Sequence, residues 1–277
     1  MSSVEVRNLT KRFGSKVAVD GLSFTVASGR VTALLGPNGS GKSTTMRMMV
    51  GLESGDGEVL FDGIPYSELS FPARHVGVLL DAKAAHPTRT IANHLRMMAA
   101  GSGIQRSRVE EVLDIVGLAS HARSSPKTFS LGMSQRFGIA CALLGSPGIL
   151  ILDEPSNGLD PQGIRWLRSF LRKFAEAGNA VLLSSHLLTE LELIADDVVV
   201  IGRGRLLASA PLNDFVQAAS TSQVRVRALN AGDLSALLGR LGASVTQESD
   251  GLLIVDGLTQ LEIARAGRRS GSVIYEL

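Results

Sequence analysis

Residues 34–45 read "LLGPNGSGKSTT". Two leucines run into three glycines, a lysine and a cluster of hydroxyl side chains, with almost no bulk between them. Glycines let backbone N–H groups turn inward towards an anion. The preceding Val31–Leu35 is a continuous apolar run, typical of a strand buried on both faces, and a helical pattern follows from Lys42 to Gly51. This order predicts a phosphate-binding loop at a helix N-terminus.

The loop matches the pattern GxxxxGK[S/T] of nucleoside-triphosphate-binding proteins. The Lys42 ammonium can reach the outer phosphates, and the Ser43 hydroxyl can ligate Mg²⁺. Kinases, GTPases and many ATPases share this loop, so the use of the nucleotide stays open at this point. The residues predicted to contact the nucleotide are Gly36, Pro37, Asn38, Gly39, Ser40, Gly41, Lys42, Ser43 and Thr44.

Composition limits the class of protein. The 277 residues are 44% apolar, which suffices for one large domain and a small one. The net charge is only +2, so charge does not suggest a nucleic-acid partner. The single cysteine, Cys141, excludes an internal disulfide and fits a reducing compartment, where it reads as a small core hydrophobe. Because no apolar run reaches the roughly 18 residues of a membrane span, and the alternating start is unlike a signal peptide, we expect a soluble or peripheral, cytoplasmic protein.

Strand and helix patterns alternate along most of the chain and predict an α/β fold with a largely parallel sheet. A mostly helical insertion interrupts the alternation at about residues 86–145. Near residue 220 the pattern changes to strand, helix, strand, strand, helix, strand, the split-βαβ order of ferredoxin-like units. We therefore predict a nucleotide-binding domain at 1–218 and a small C-terminal α+β domain at 219–277 that is structural or regulatory.

Polar residues follow two further apolar strands. "ILILDEP" places Asp153 and Glu154 at the carboxyl end of a strand, where ligands bind in open parallel sheets. Asp153 can hold Mg²⁺ through water, and Glu154 can act as the general base on an attacking water. The strand "AVLLSS" ends at His186, whose imidazole can hydrogen-bond a γ-phosphate. Alone, an acidic pair is usually a solvated turn and a lone histidine is usually incidental, but the glycine loop favours the catalytic interpretation.

In this order the motifs resemble the ATPase subunit of ATP-binding cassette (ABC) transporters, over about residues 1–215. "GPNGSGKST" is similar to the Walker A loop, "ILILDEP" to Walker B, "SNGLD" at Ser156–Asp160 to the D-loop, and His186 to the switch histidine. "FSLGMSQR" resembles the family signature LSGGQ followed by xQR. Ser130 and Gly132 match that signature, whereas Leu131 and Met133 replace a glycine and a glutamine. By residues alone this segment is equally well an N-capped helix start.

Two positions need separate treatment. Phe13 in "KRFG" resembles the A-loop aromatic that stacks on adenine; the alternative is a strand-end phenylalanine in the core. Asp81, after "HVGVLL", falls where the family usually carries the Q-loop glutamine. A carboxylate there is shorter and adds negative charge near the metal, so Asp81 joins Ser43 and Asp153 as a candidate metal ligand, directly or through water, without the glutamine's role being carried over.

The resemblance implies the fold and the mechanism. It implies a P-loop NTPase with a RecA-like parallel core, an antiparallel β subdomain and the helical insertion. ATP and Mg²⁺ are the implied ligands, with Ser130, Gly132 and Asp160 completing the nucleotide site of a second ATPase subunit in a homodimer. A separate transmembrane permease would hold the dimer at the cytoplasmic face of the membrane, with no nucleic-acid partner. A further resemblance, to bacitracin-resistance-type ATPases, implies export of a drug, a peptide antibiotic or a lipid-like compound.

Two other functions are alternatives. A soluble ABC-type ATPase acting on nucleic acid or ribosomes would be expected to carry long heptad insertions or two cassettes. This chain has one glycine loop, no heptad run and little excess charge. A non-hydrolysing regulatory binder is disfavoured because Glu154 and His186 are both present. The transporter subunit is therefore the preferred hypothesis.

Overall fold

The computed structural model describes residues 3–220, 224–248 and 251–276. Its contacts divide the chain into two compact units, Met1–Leu212 and Asn213–Leu277. The sequence predicts a domain boundary after residue 218, on the C-terminal side of this division, and that boundary stays a prediction. Within the described residues, no helix combines the length and the apolar character that crossing a bilayer requires.

Strands supply most of the larger unit's core. In chain order they are β1 (Val4–Phe13), β2 (Lys16–Val26), β3 (Val31–Leu35), β4 (Asp56–Phe61), β5 (Ile64–Pro65), β6 (Val76–Leu79), β7 (Ile149–Leu152), β8 (Ala180–Ser185), β9 (Asp197–Gly202) and β10 (Arg205–Pro211). The helices between and after them are α1 (Lys42–Met49), α2 (Ile91–Gly101), α3 (Ser107–Ile115), α4 (Leu131–Leu143), α5 (Pro161–Glu176), α6 (Leu188–Leu191) and α7 (Leu212–Ser220).

Six strands form the main sheet in the order β10-β9-β3-β8-β7-β6. From β9 to β6 neighbouring strands are parallel, and only the edge strand β10 is antiparallel. Every residue of β3, β7 and β8 is buried, as expected of parallel strands covered on both faces. Because Leu35 pairs with Ser185, and Leu152 with Leu183, the loops that follow these three strands lie at the same edge of the sheet. The predicted parallel core is confirmed.

A second, antiparallel sheet has the order β2-β1-β4-β5. Its inward side chains, such as Val4, Leu22 and Phe61, share one apolar core with Leu34 and Ile151 of the main sheet. This sheet is the antiparallel β subdomain that the family resemblance implies, and it brings the end of β1 to the glycine loop.

Helices α2, α3 and α4 form the predicted helical insertion. Phe137 of α4 packs edge-to-face against His94 of α2, with ring centroids 5.5 Å apart. Helix α4 also lies so close to β6 that a methyl group on Gly77 would clash with the Ala142 carbonyl, whose carbon atom would be only 2.9 Å away. The insertion is therefore fixed to the sheet through α4.

After α7, most of which belongs to the smaller unit, the rest of that unit has the predicted order of elements. They are β11 (Val224–Ala228), α8 (Ala231–Arg240), β12 (Ser244–Gln247), β13 (Leu252–Asp256), α9 (Gln260–Ser270) and β14 (Ile274–Glu276). The strands form an antiparallel sheet in the order β12-β13-β11-β14. Side chains such as Val226, Leu234, Leu253 and Ile263 fill its core. This is the ferredoxin-like arrangement predicted for the C-terminal part of the chain.

Candidate nucleotide-binding site

The glycine loop connects β3 to α1 and requires glycine at two points. A methyl group on Gly36 would clash with the Ile201 carbonyl, and one on Gly41 would lie 2.6 Å from the Ala18 carbonyl oxygen. Gly41 also has φ of +111°, a conformation that side chains rarely adopt. The loop is thus pressed against neighbouring backbone and curves into a cradle, with a turn in which the Ser40 N–H donates to the Pro37 carbonyl at 3.1 Å.

Lys42 lies at the centre of this cradle. Its side chain is only 6% exposed, and Nζ donates to the Gly36 carbonyl at 2.7 Å and to the Pro37 carbonyl at 3.3 Å. The ammonium also lies 3.8 Å from Glu154 Oε1. A buried cation held only by carbonyls and one carboxylate is well suited to bind an anionic phosphate.

The loop residues fit the phosphates of a nucleoside triphosphate. Ser40 is buried, and its hydroxyl has no hydrogen-bond partner among the described residues. Beside the loop is a pocket of about 270 Å³. Its lining residues are Phe13, Lys16, Ala18, Asn38, Gly39, Gly41, Lys42, Ser43, Thr44 and Glu154. The pocket therefore brings together six of the nine predicted loop residues, whereas Gly36, Pro37 and Ser40 are not among the residues that line it.

The ends of β7 and β8 place the two carboxylates. Asp153 Oδ1 accepts a hydrogen bond from the Ser184 hydroxyl, and the same hydroxyl accepts from the Glu154 N–H at 2.8 Å. The Glu154 carboxylate oxygens lie 3.0 Å and 3.1 Å from His186 Nδ1. The structure thus brings the predicted base, the predicted switch histidine and Lys42 to one point.

Phe13 ends β1 with its side chain 48% exposed at this pocket, with Lys11 Nζ 4.8 Å from the ring centroid. The alternative of a core phenylalanine is therefore wrong. A half-exposed ring at a pocket wall can stack on a planar base, so its adenine-stacking role stays a prediction with a suitable position.

The predicted signature residues lie elsewhere. Ser130 caps the N-terminus of α4, where its hydroxyl accepts from the Met133 N–H at 3.2 Å, and Gly132 follows in the first turn. Asp160 caps α5 in the same way, accepting from the Gly163 N–H at 2.7 Å. None of the three is among the described residues that line the pocket around Lys42.

Asp81 follows β6 and is exposed. Its carboxylate accepts from the Lys83 N–H at 2.8 Å and so closes a local turn. It lines a separate apolar cavity of about 390 Å³, between β6, α2 and α4, rather than the pocket at Lys42. Its assignment as a metal ligand therefore stays a prediction, without support from this arrangement.

Two residues at this site, Lys16 and Ser184, escaped the sequence analysis, and a third, Gln135, was matched only as the glutamine of the xQR that follows the signature. Lys16 lines the pocket, Ser184 bridges Asp153 and Glu154, and Gln135 Nε2 donates to the Glu154 carbonyl at 3.2 Å. A serine inside the buried strand β8 is a signal that could have indicated Ser184, because a polar group in such a strand needs a partner. Lys16 carries no comparable signal, and the match of Gln135 to the xQR segment did not indicate its contact with Glu154.

Fold and site together define a P-loop nucleoside triphosphatase: a buried lysine in a glycine loop after one strand, and a carboxylate pair after another. A family model described as "ABC transporter" matches residues 19–157. The chain belongs to the ABC transporter family and is one of its ATP-binding, ATP-hydrolysing subunits, which confirms the predicted family, nucleotide and reaction. A second model, described as a domain of unknown function, matches residues 222–277.

Individual relatives agree with this family. The lantibiotic transport ATP-binding protein SrtF of Streptococcus pyogenes is 36% identical over 74% of this chain and 89% of the relative. The bacitracin transport ATP-binding protein BcrA of Enterococcus faecalis is 39% identical over 76% of this chain and 70% of the relative. A solved ATP-binding subunit of an ABC transporter superposes with a TM-score of 0.71 at 30% identity, covering 78% of this chain and 92% of that one.

Proposed function

We propose that this chain supplies the energy for export of a peptide antibiotic or a related drug through a separate transmembrane permease. Relatives at 36% and 39% identity are a lantibiotic transport and a bacitracin transport ATP-binding protein, which supports this class of cargo. The permease would hold the chain at the cytoplasmic face of the membrane. We expect its cytoplasmic helix to dock beside residues 81–95, next to the apolar cavity described above.

The observation that carries the ATP-hydrolysing part of the proposal is that three side chains, which follow three different strands, lie close together. The Glu154 carboxylate lies 3.0 Å from His186 Nδ1 and 3.8 Å from Lys42 Nζ, and it opens into the pocket at the glycine loop. This position supports a role for Glu154 as the group that accepts a proton from an attacking water. Lys42 would offset the negative charge of the phosphates, and His186 would hydrogen-bond the γ-phosphate.

Ser43 and Asp153 are the residues that would hold Mg²⁺. Ser43 lines the pocket, and Asp153 lies next to Glu154 at the end of β7. Hydroxyl and carboxylate oxygens are hard ligands of the kind that Mg²⁺ prefers. When bound, Mg-ATP supplies the phosphoryl group to be transferred, with the metal neutralising its charge.

A second copy of the chain would complete the site. Ser130 and Gly132 lie at the N-terminus of α4, away from the chain's own pocket, and such a terminus attracts anions through its free N–H groups. This terminus would contact the nucleotide bound to a neighbouring copy. ATP would then bind the closed dimer more tightly than the open form. Differential affinity of this kind is what lets ATP shift the population towards closure.

The dimer is tested with Glu154→Gln, which keeps the size of the side chain but removes its basicity. We expect this variant to bind Mg-ATP, to lose hydrolysis and to elute from a sizing column as a dimer. Glu176→Gln, an exposed position at the end of α5, is the matched control and should remain active. Elution of Glu154→Gln as a monomer in saturating Mg-ATP would refute the two-sided site.

The partner is tested by co-purification. The tagged chain should be recovered from detergent extracts with a polytopic membrane protein, and its ATPase activity should respond to that protein. Recovery as a lone enzyme, with activity that responds to nucleic acid or ribosomes instead, would favour the soluble ATPase.

A further inference from the structure

Glu154 has a backbone conformation that only glycine adopts freely. Its φ is +48°, in the left-handed region, where the Cβ atom of an ordinary residue crowds the backbone. Such a conformation persists only where surrounding groups determine it. Since the carboxylate of this residue is the proposed base, the groups that hold its backbone bear directly on the reaction.

Ser184 holds the N-terminal side of Glu154. It is fully buried in β8, and its hydroxyl accepts the Glu154 N–H at 2.8 Å while donating to Asp153 Oδ1. One hydroxyl therefore fixes both the backbone of the proposed base and the neighbouring carboxylate that would hold the metal.

Gln135 holds the other side. It is only 6% exposed, and its Nε2 donates to the Glu154 carbonyl at 3.2 Å. Among the described residues its Oε1 is buried without a hydrogen-bond partner. The hydrogen bond that Nε2 donates to Glu154 is therefore the one that orients the amide group. A buried amide with an unused acceptor is costly, which argues that the bond to Glu154 serves more than packing.

We propose that Gln135 and Ser184 are positioning residues for ATP hydrolysis, which clamp Glu154 in its left-handed conformation and so aim its carboxylate into the pocket. This inference rests on the proposed role of Glu154 as the base. Gln135 belongs to α4, the helix whose N-terminus carries Ser130. The bond from Gln135 to Glu154 therefore connects α4, whose N-terminus would face the second copy, to the proposed base of the same chain. A movement of α4 would in this way also move the Glu154 carbonyl.

The test compares Gln135→Met, which keeps shape but removes the donor, with Ser184→Ala and the conservative Ser184→Thr. We expect kcat for ATP to fall by about tenfold to a hundredfold in Gln135→Met and Ser184→Ala, because small misplacements of a reacting group cost this much. The dissociation constant for ATP measured without Mg²⁺ should not change, since Asp153 then has no metal to hold, and Ser184→Thr should restore kcat. Ile139→Val, a buried change in the same helix that leaves the clamp intact, should keep the wild-type kcat.

A double mutant separates positioning from a general structural effect. Once Glu154→Gln has removed the base, adding Gln135→Met should cause no further loss of the residual rate, because residues that act through one group are not additive. An equal loss with and without the Glu154 carboxylate, or a wild-type kcat in both clamp variants, would overturn the inference. Full hydrolysis by Glu154→Gln alone would instead refute the base itself, and the clamp with it.

Discussion

Leu131 packs directly on the backbone of Gly158. A methyl group built on Gly158 would overlap the Cγ and Cδ2 atoms of Leu131 and would lie 2.8 Å from its Cβ. The next residue, Gly132, is equally close, since a methyl group there would lie 2.8 Å from the Gly158 carbonyl oxygen. Leu131 is one of the two departures from the family signature, and Gly158 lies in the predicted D-loop. The departure therefore joins two segments that are both expected to face the second copy.

This contact predicts a mutual dependence of the two residues. Gly158→Ala should lower ATPase activity by about tenfold or more, because overpacking forces the backbone of both segments to move. Leu131→Gly, which restores the usual glycine of the signature, should recover much of the loss in the double mutant. Steady-state ATPase rates of the four proteins in the cycle measure the coupling.

Gly178→Ala is the matched control. Gly178 also has a positive φ, of +88°, but a methyl group there would meet no atom within 4 Å. Gly178→Ala therefore introduces the strain of a side chain at positive φ without a steric clash, and the activity of this variant should stay near that of the wild type. A Gly158→Ala enzyme as active as Gly178→Ala, or one that Leu131→Gly fails to improve, would show that the contact has no influence on turnover.

Lys42→Ala should strongly weaken nucleotide binding. The ammonium is the only side-chain cation buried within the described loop, and each hydrogen bond from a charged donor to phosphate is worth about 1.5–3 kcal/mol, so we expect the ATP dissociation constant to rise by roughly tenfold to more than a hundredfold. Titration with a fluorescent ATP analogue measures this, with the exposed Lys173→Ala as the control. Affinity equal to that of the control would exclude Lys42 as a phosphate ligand.

Much of the fold was predictable because it depends on local patterns. The unbroken apolar runs at 31–35 and 149–152 indicated buried parallel strands, and the carboxyl ends of such strands lie together, so the loops at Gly36, Asp153 and His186 had to meet. Edge strand β10 was missed because its exposed pattern has neither the alternation nor the apolar run of a core strand. The apolar spacing of "LLTELELIA" at 187–195 predicts a longer helix than α6, which ends at Leu191.

The details that tune the site were not predictable, because they depend on residues far apart in the sequence. Glu154 has a left-handed φ and hydrogen-bonds to Ser184 and Gln135, and neither residue lies near it in the chain. The contact of Leu131 with Gly158 likewise appears only when α4 packs beside the loop before α5. Sequence patterns indicate which groups reach a site, whereas packing decides how each one is held.

Asp81→Gln tests the residue that replaces the usual Q-loop glutamine. Since Asp81 closes a local turn and lines the cavity beside α2, we expect the change to alter permease-stimulated turnover more than ATP affinity. ATPase rates with and without the permease, together with ATP titrations, separate the two quantities. Asp114→Asn, exposed on α3, controls for the loss of a charge. Equal effects on turnover and on affinity would indicate that Asp81 is simply a metal ligand.

Cys141 offers a chemical test of the cavity between β6, α2 and α4. The thiol lines that cavity, and burial raises its pKa from 9.0 to about 12. Only the thiolate reacts with disulfide reagents, so at pH 8 the native protein should react at least about a hundredfold more slowly than the protein unfolded in guanidinium. The reaction should quicken steadily from pH 8 to 10, without a plateau, because the thiolate fraction rises tenfold with each pH unit below the pKa. The Cys141→Ser variant is the control without a thiol. If the native protein reacted as fast as a free thiol, the cavity at Cys141 would be open to solvent.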